Sequence, residues 1–171
     1  MALTITITSK KHGTFDVLYS KEDQDLINSH TWGIAKLGNR FYPKTDIKNA
    51  DGKYRTKFLH GLIMGTPKGM HTDHISGNTC DARRENLRVC TPTENQRNRG
   101  KNKNNTSGFK GVSWNKASKK WVPYIQYGGK KIHLGTFDTR EEAARTYDRK
   151  VIELWEVVNP RMLNFPEEHG F

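Results

Sequence analysis

MHTDHISGNTCDARRENLRVCTPTENQR, residues 70–97, is the stretch that decides the fold of the N-terminal half. MHTDHI (70–75) reads as a short strand carrying Asp73 and His74. An irregular loop, SGNTCDARRE, follows, and NLRVC (86–90) reads as a second strand. Thr91-Pro92-Thr93-Glu94 is a capping box, with Thr at the N-cap, Pro at the first helical position and Glu at the third. The spacing therefore predicts a helix from Pro92, with Asn95 in its first turn. The order is strand, loop, strand, helix.

That order and those residues resemble the ββα-metal (His-Me finger), or HNH, nuclease motif. Asp73-His74, Asn86 and Asn95 stand at the motif's positions, separated by 12 and 9 residues. LHGLIM upstream and the NLR-x-x-TP-x-x-NQRNR run extend the likeness, which is nearest to the phage and intron homing-endonuclease branch. The resemblance implies one divalent metal, Mg²⁺ or Mn²⁺, held by Asp73 and Asn95. It implies His74 as general base and Asn86 as the residue that orients it. Two departures stand out. Asn95 replaces the more frequent His, which favours Mg²⁺ or Mn²⁺ over tight transition-metal binding. Gly61 replaces the Arg of Leu-His-Arg, so His60 reads as a core or site-edge histidine. His71 shares a strand face with Asp73.

Residue chemistry agrees. Hydrolysing a phosphodiester needs a water in line, a base to deprotonate it and positive charge on the departing oxygen. Neutral imidazole is suited to the base role near pH 7. A carboxylate and an amide oxygen are hard donors that leave room for water and phosphate. Arg83, Arg84, Arg88, Arg97 and Arg99 lie close in sequence as candidate clamps on a phosphate backbone.

Working outward, ALTITIT (2–8) alternates strictly and reads as a half-buried strand. Ser20 and Asp23 suggest a helix start over KEDQDLINS. WGIAK, a Gly38-Asn39 turn and RFYPKT read as a hairpin, and Asp51-Gly52 as a turn. FLHGLIM (58–64) reads as a short helix closed by Gly65. NRGKNKNNTSG (98–108) has no apolar residue and reads as a basic linker with too little to bury. The expected domains are therefore 1–97 (with the ββα core at 70–97), the linker 98–108, and 109–171.

Charge singles out the same region. The 171-residue chain has 29 Lys and Arg against 18 Asp and Glu, a net +11. Residues 95–137 carry ten basic side chains and no acidic one, interleaved with Trp114, Trp121, Tyr124, Tyr127 and His133. That pattern suits phosphate contact with base or sugar packing. Lys101 and Lys103 join Arg97 and Arg99 as candidate backbone contacts.

Beyond residue 108, FKGVSWNK, KKWVPYIQY and KKIHLGTF read as three strands, with Gly128-Gly129 as a hairpin turn. DTREEAARTYDRKVIELW is an amphipathic helix capped by Thr139 and Glu142. GVSW, KW-x-x-x-I, LGTFDT-x-EEAA-x-x-YD and LNFP (163–166) resemble the Apetala, or AP-two/ERF, type of DNA-binding domain. The resemblance implies a three-stranded antiparallel sheet packed on one helix, its far face reading the DNA major groove. Alternation puts Val112, Trp114, Ile125, Ile132 and Leu134 toward the helix. Ser113, Asn115, Tyr124, Gln126, Lys131 and His133 face away. Asn and Gln suit adenine, and Lys suits guanine.

The fold class expected is α+β. Two cysteines, Cys80 and Cys90, are too few for a disulfide scaffold or a four-cysteine zinc site. No run is apolar or long enough to span a membrane, and residues 1–13 lack a secretory apolar core. The setting expected is cytoplasmic, at the nucleoid of a phage-infected or bacterial cell. The function expected is a metal-dependent, sequence-specific homing-type DNA endonuclease acting on double-stranded DNA. It would need no protein partner, working as a monomer or a dimer assembled on DNA. The alternative is a non-catalytic DNA-binding transcriptional regulator with an inert HNH remnant.

Overall fold

A computed structural model describes residues 2–102 and 104–171. The chain divides into two compact units, one ending at Gln96 and the other beginning at Arg97. Both mix helix and strand, as an α+β chain does. Among the described residues no helix is long and apolar enough to cross a membrane.

The first unit runs β1 (Ala2–Ser9), β2 (Gly13–Ser20), α1 (Gln24–Asn28), β3 (Gly33–Leu37), β4 (Arg40–Lys48), β5 (Tyr54–Phe58), α2 (Leu59–Ile63), β6 (His71–His74), β7 (Asp81–Ala82) and β8 (Leu87–Cys90). α3 (Pro92–Arg97) follows. β1 and β2 form an antiparallel hairpin, and β7 pairs parallel with the outer edge of β2. The alternation of β1 puts Ile7 inside at 3% exposure and its threonines outside. β3, β4 and β5 make a second antiparallel sheet, and β6 and β8 a third, two-stranded one. Ile7, Val17, Tyr19, Ile27, Ile34, Leu59, Ile63, Ala82 and Leu87 close one core beneath these elements.

Three features depart from the sequence reading. β2 and β5 were not foreseen. GTFDVLYS mixes apolar and polar residues irregularly, and YRTKF is almost entirely exposed, so neither carries a clean period. Ser20 does not cap α1 with its side chain. Its hydroxyl accepts from the Arg84 amide at 3.0 Å instead. The loop between β6 and β8 also has internal order, namely β7 and a 3₁₀ turn at Arg84–Asn86.

The second unit contains β9 (Val112–Asn115), β10 (Lys120–Tyr127), β11 (Lys130–His133) and α4 (Arg140–Leu154). The three strands pair antiparallel in the order β11-β10-β9. Gly128 and Gly129, at φ 58° and 76°, form the two-residue turn that β10 and β11 need. Thr139 caps α4: its hydroxyl accepts from the Glu142 amide at 3.3 Å and donates to the Glu142 carboxylate at 2.7 Å. The helix buries Ala143, Ala144, Tyr147, Asp148 and Val151. Val151, fully buried, contributes roughly 1.5–3 kcal/mol of apolar transfer.

Among the described residues of 98–108, most are exposed but Asn98 and Ser107 are packed inside. Asn98 is 3% exposed and Ser107 1% exposed. The Ser107 hydroxyl bonds to Phe109 and Val112 carbonyls, both at 2.9 Å. Arg161 donates to the Asn98 carbonyl at 3.4 Å, and Arg97 lies over the Trp155 ring at 4.7 Å. These two ends are held by hydrogen bonds rather than apolar area, and an apolar count is blind to that. Lys103 lies outside the described residues.

Lys110 sits in the same network, its ammonium donating to the carbonyls of Arg97 and Arg161. Burial, with the Arg161 charge second, holds its pKa down to about 8 from the ordinary 10.5, while Asp148 pulls the other way. Folding therefore favours the uncharged amine, and the unfolded chain binds more protons between pH 8 and 10.5. The stabilisation is present above 10.5 and is lost as pH falls through 8. Stability should climb across that window by up to about 1.4 kcal/mol per pH unit. Lys110→Met should flatten the climb in urea melts run from pH 7 to 10.5.

Candidate active site and nucleic-acid interface

β6 and β8 pair so that His71 faces Cys90, Thr72 faces Val89, Asp73 faces Arg88 and His74 faces Leu87. The capping box then turns the chain into α3. Glu94 accepts from the Thr91 amide at 2.7 Å and hydroxyl at 2.8 Å, and its own amide donates to that hydroxyl at 3.2 Å. This start fixes Asn95 beside β6. Its Nδ2 lies 3.0 Å from Nδ1 of His71, two residues before Asp73 on the same strand face.

Asp73 is 8% exposed, and its Oδ2 accepts from Nε and Nη2 of Arg88 at 3.2 and 3.0 Å. His74, on the other strand face, is 5% exposed. Its ring packs edge-on against His60 at 4.8 Å, with Tyr42 at 6.2 Å. Burial holds the His74 pKa down to about 4. The nearby Asp81 carboxylate opposes that, and Arg40 adds to it. His60 is held down to about 4 by burial and then by His74. Both imidazoles are neutral at pH 7, and a neutral imidazole keeps the lone pair a general base needs. A phosphate arriving nearby would raise the pKa by favouring the imidazolium.

Asn86 acts on the backbone. Its Oδ1 accepts from the Ser76 amide at 2.9 Å and its Nδ2 donates to the Asp81 carbonyl at 2.7 Å. The Ile75 amide donates to the Asn86 carbonyl at 2.8 Å. Asn86 thus ties down the loop that leaves His74 and brings Asp81 close to it.

Tyr42, Thr56, His60, Thr72, His71 and Asn95 help line a groove of about 720 Å³ on this unit. His60 and Tyr42, which pack against the His74 ring and line this groove, are the neighbours that sequence reasoning undervalued. His60 carried a signal, its place in LHGLIM, but Tyr42 carried none. Among the described residues no group of three or more His, Cys, Asp or Glu could hold a metal. A cation here would rest on one carboxylate and one amide oxygen, with water and phosphate completing it. Such a hard, sparse oxygen set fits Mg²⁺ or Mn²⁺.

The arginines around the site are engaged inside the protein. Arg83 pairs with Asp81 at 2.7 Å and Glu85 at 2.5 Å, and Arg84 pairs with Asp23 at 2.7 Å and Glu22 at 2.8 Å. Asp81 holds the Arg83 guanidinium well above its ordinary pKa. Arg88 is held by Asp73 and Arg97 by Trp155. Arg99 and Lys101 are exposed, and Lys101 donates to the Gly108 carbonyl at 2.6 Å.

On the second unit the register places Tyr124 opposite His133 and Gln126 opposite Lys131. Lys131 Nζ lies 3.8 Å from the Tyr124 ring centroid and the His133 ring 5.4 Å from it. Ser113, Asn115, Gln126, Lys131 and His133 are exposed. The Asn115 carbonyl is spent on its own turn, accepting from Ala117 and Ser118 amides at 3.0 and 3.2 Å. Trp114 departs from the expected inward position. It is 43% exposed, edge-on to Trp121 at 4.9 Å, outside the cluster of Val112, Ala143 and Ala144.

Comparison with known proteins gives two family matches. The HNH endonuclease family model matches residues 64–97, and the AP2 domain model matches residues 107–156. The chain is 40% identical over 81 residues to Protein 3.8 of Escherichia phage T7, covering 47% of this chain and 67% of that one. An uncharacterized HNH endonuclease of Acanthamoeba polyphaga mimivirus is 27% identical over 166 residues, 94% of this chain and 81% of its own. An ethylene-responsive transcription factor of Medicago truncatula is 50% identical over 52 residues, 29% of this chain and 19% of its own. No solved structure gives a significant match.

Proposed function

We propose, for a chain that joins an HNH endonuclease domain to an AP2 domain, that it is a divalent-metal-dependent DNA endonuclease whose C-terminal sheet selects the sequence to be cut. The observation that carries this reading is the Asn95–His71 hydrogen bond. It brings the amide of α3 beside the strand on which Asp73 and His74 are consecutive. We read this strand–loop–strand–helix as a ββα-metal finger.

In this reading Asp73 and Asn95 would hold one cation, Mg²⁺ or Mn²⁺, which would supply positive charge at the scissile phosphate. His74 takes a proton from the attacking water, its ring set by His60 and Tyr42 and its backbone by Asn86. Products carry 5′-phosphate and 3′-hydroxyl ends. Arg99, Lys101 and Lys103 follow the phosphate backbone. The paired Arg83, Arg84 and Arg88 brace the site and offer DNA only the charge their partners leave. Tyr124, Gln126, Lys131, His133 and Ser113 form the reading face, Gln126 and Lys131 having the chemistry for adenine and guanine. The homing habit, a phage or bacterial cytoplasm, and action as a monomer or a DNA-assembled dimer belong to this same proposal.

One observation favours the alternative, a DNA-binding regulator with an inert remnant: Arg88 holds the very carboxylate a cation would need. Supercoiled plasmid carrying a selected binding site separates the two. Nicked or linear product with Mg²⁺ or Mn²⁺, and none with EDTA, supports the endonuclease. Tight binding with no product under any divalent ion supports the regulator.

A further inference from the structure

We propose that His71 is a positioning residue that decides which end of the Asn95 amide faces the cation. The inference rests on the reading above, in which Asp73 and Asn95 are the ligands. A side-chain amide has two ends of similar shape, and only the oxygen can bind a hard cation. In water the group turns over freely, so half its orientations present the wrong atom. Here Nδ2 of Asn95 lies 3.0 Å from Nδ1 of His71. An amide nitrogen can only donate, so this contact requires the His71 tautomer with its proton on Nε2 and Nδ1 open to accept. With its nitrogen committed to His71, the amide has its oxygen at the opposite end, available to a ligand.

His71 is well placed for this and for little else. It is exposed at the start of β6, so it adds little to the core. Its neighbour across the pair of strands is Cys90, not a charged group. Both His71 and Asn95 open onto the groove. A ligand on a helix needs such a lock when it is Asn, because only one end of the amide can bind a cation.

The test uses the full chain and Mn²⁺ as the probe, with free Mn²⁺ counted by electron paramagnetic resonance in the absence of DNA. His71→Ala should weaken Mn²⁺ binding about 10-fold, at the low end for losing a group that orients a metal ligand. His71→Asn puts Oδ1 where Nδ1 was, so it should still accept from Asn95 and bind within about 3-fold of the parent, well short of the alanine loss. Asp73→Ala and Asn95→Ala fix the scale of losing a ligand outright. If those two leave Mn²⁺ binding unchanged, the ligand reading falls and the His71 proposal with it. If they weaken it while His71→Ala does not, only the His71 proposal is overturned. Loss in His71→Asn equal to that in His71→Ala also overturns it, because the role would then not be acceptance from the amide.

Discussion

His74→Ala should lower DNA cleavage at least about 100-fold, equivalent to roughly 2.7 kcal/mol of barrier, while leaving DNA affinity unchanged. The size follows from the role. With the imidazole gone, the attacking water must give its proton to bulk solvent or to an unaligned group. Affinity should hold because the reading face proposed above, around Tyr124, Gln126 and Lys131, belongs to the other unit. Single-turnover cleavage of a bound plasmid, measured beside a gel-shift titration, reads both quantities. Cleavage at the parent rate would remove His74 from the mechanism and, with it, the endonuclease site proposed here. Loss of both activities would point to a folding defect; His74→Gln, which keeps a polar group in the buried position, then serves as the comparison. Failure of that variant to cut while it binds normally would restore the assignment.

Gly111→Ala should be the most damaging single methyl in the second unit. Gly111 sits at φ +75°, where an L side chain is strained. A Cβ there would stand 2.2 Å from two ring carbons of Tyr147 and 3.0 Å from the Tyr124 carbonyl. Tyr147 is 7% exposed inside the cluster of Ile125, Val151, Met162 and Leu163, so its ring has nowhere to retreat. The Gly111 carbonyl also accepts from the Tyr124 amide at 2.8 Å, so any backbone shift disturbs β10. Left-handed strain of about 1–2 kcal/mol and overpacking of about 1–3 kcal/mol add to roughly 4 kcal/mol. For a unit of this size that is a fall in Tm of about 15 °C or more. Calorimetry should show it, and specific DNA binding should go with it. An unchanged melting point would mean that Tyr147 does not pack against this turn.

The candidate site was legible as a pattern: Asp73, His74, Asn86 and Asn95 stood out by type and spacing, and the two capping boxes at Thr91 and Thr139 formed as read. The ion pairs of the arginines were not legible, for a clear reason. Arg84 stands 61 residues from Asp23, and nothing local tells a guanidinium whether a carboxylate will meet it. Arg88 was nearer to legible: once 70–75 and 86–90 are paired strands, it falls opposite Asp73. Asp148 was quoted only as part of a motif. In the fold it is fully buried and accepts from Asn164 and Phe165 amides at 2.9 and 2.8 Å, joining α4 to the C-terminal segment. Burial raises its pKa, and those hydrogen bonds counter the rise.

Short-range chemistry settled the elements: alternation in β1, glycine turns at Gly38 and Gly128, caps on α3 and α4, and an acid-free basic tract at 95–137. Each depends on residues within one or two turns of each other, so each is written in the chain. Only the tertiary structure chose the partners: Arg88 for Asp73, His60 for His74, His71 for Asn95, and Arg161 for a tract that had looked like a tether. Hydrogen bonds and ion pairs act over about 3 Å, and which groups come that close is decided by strand register and core packing.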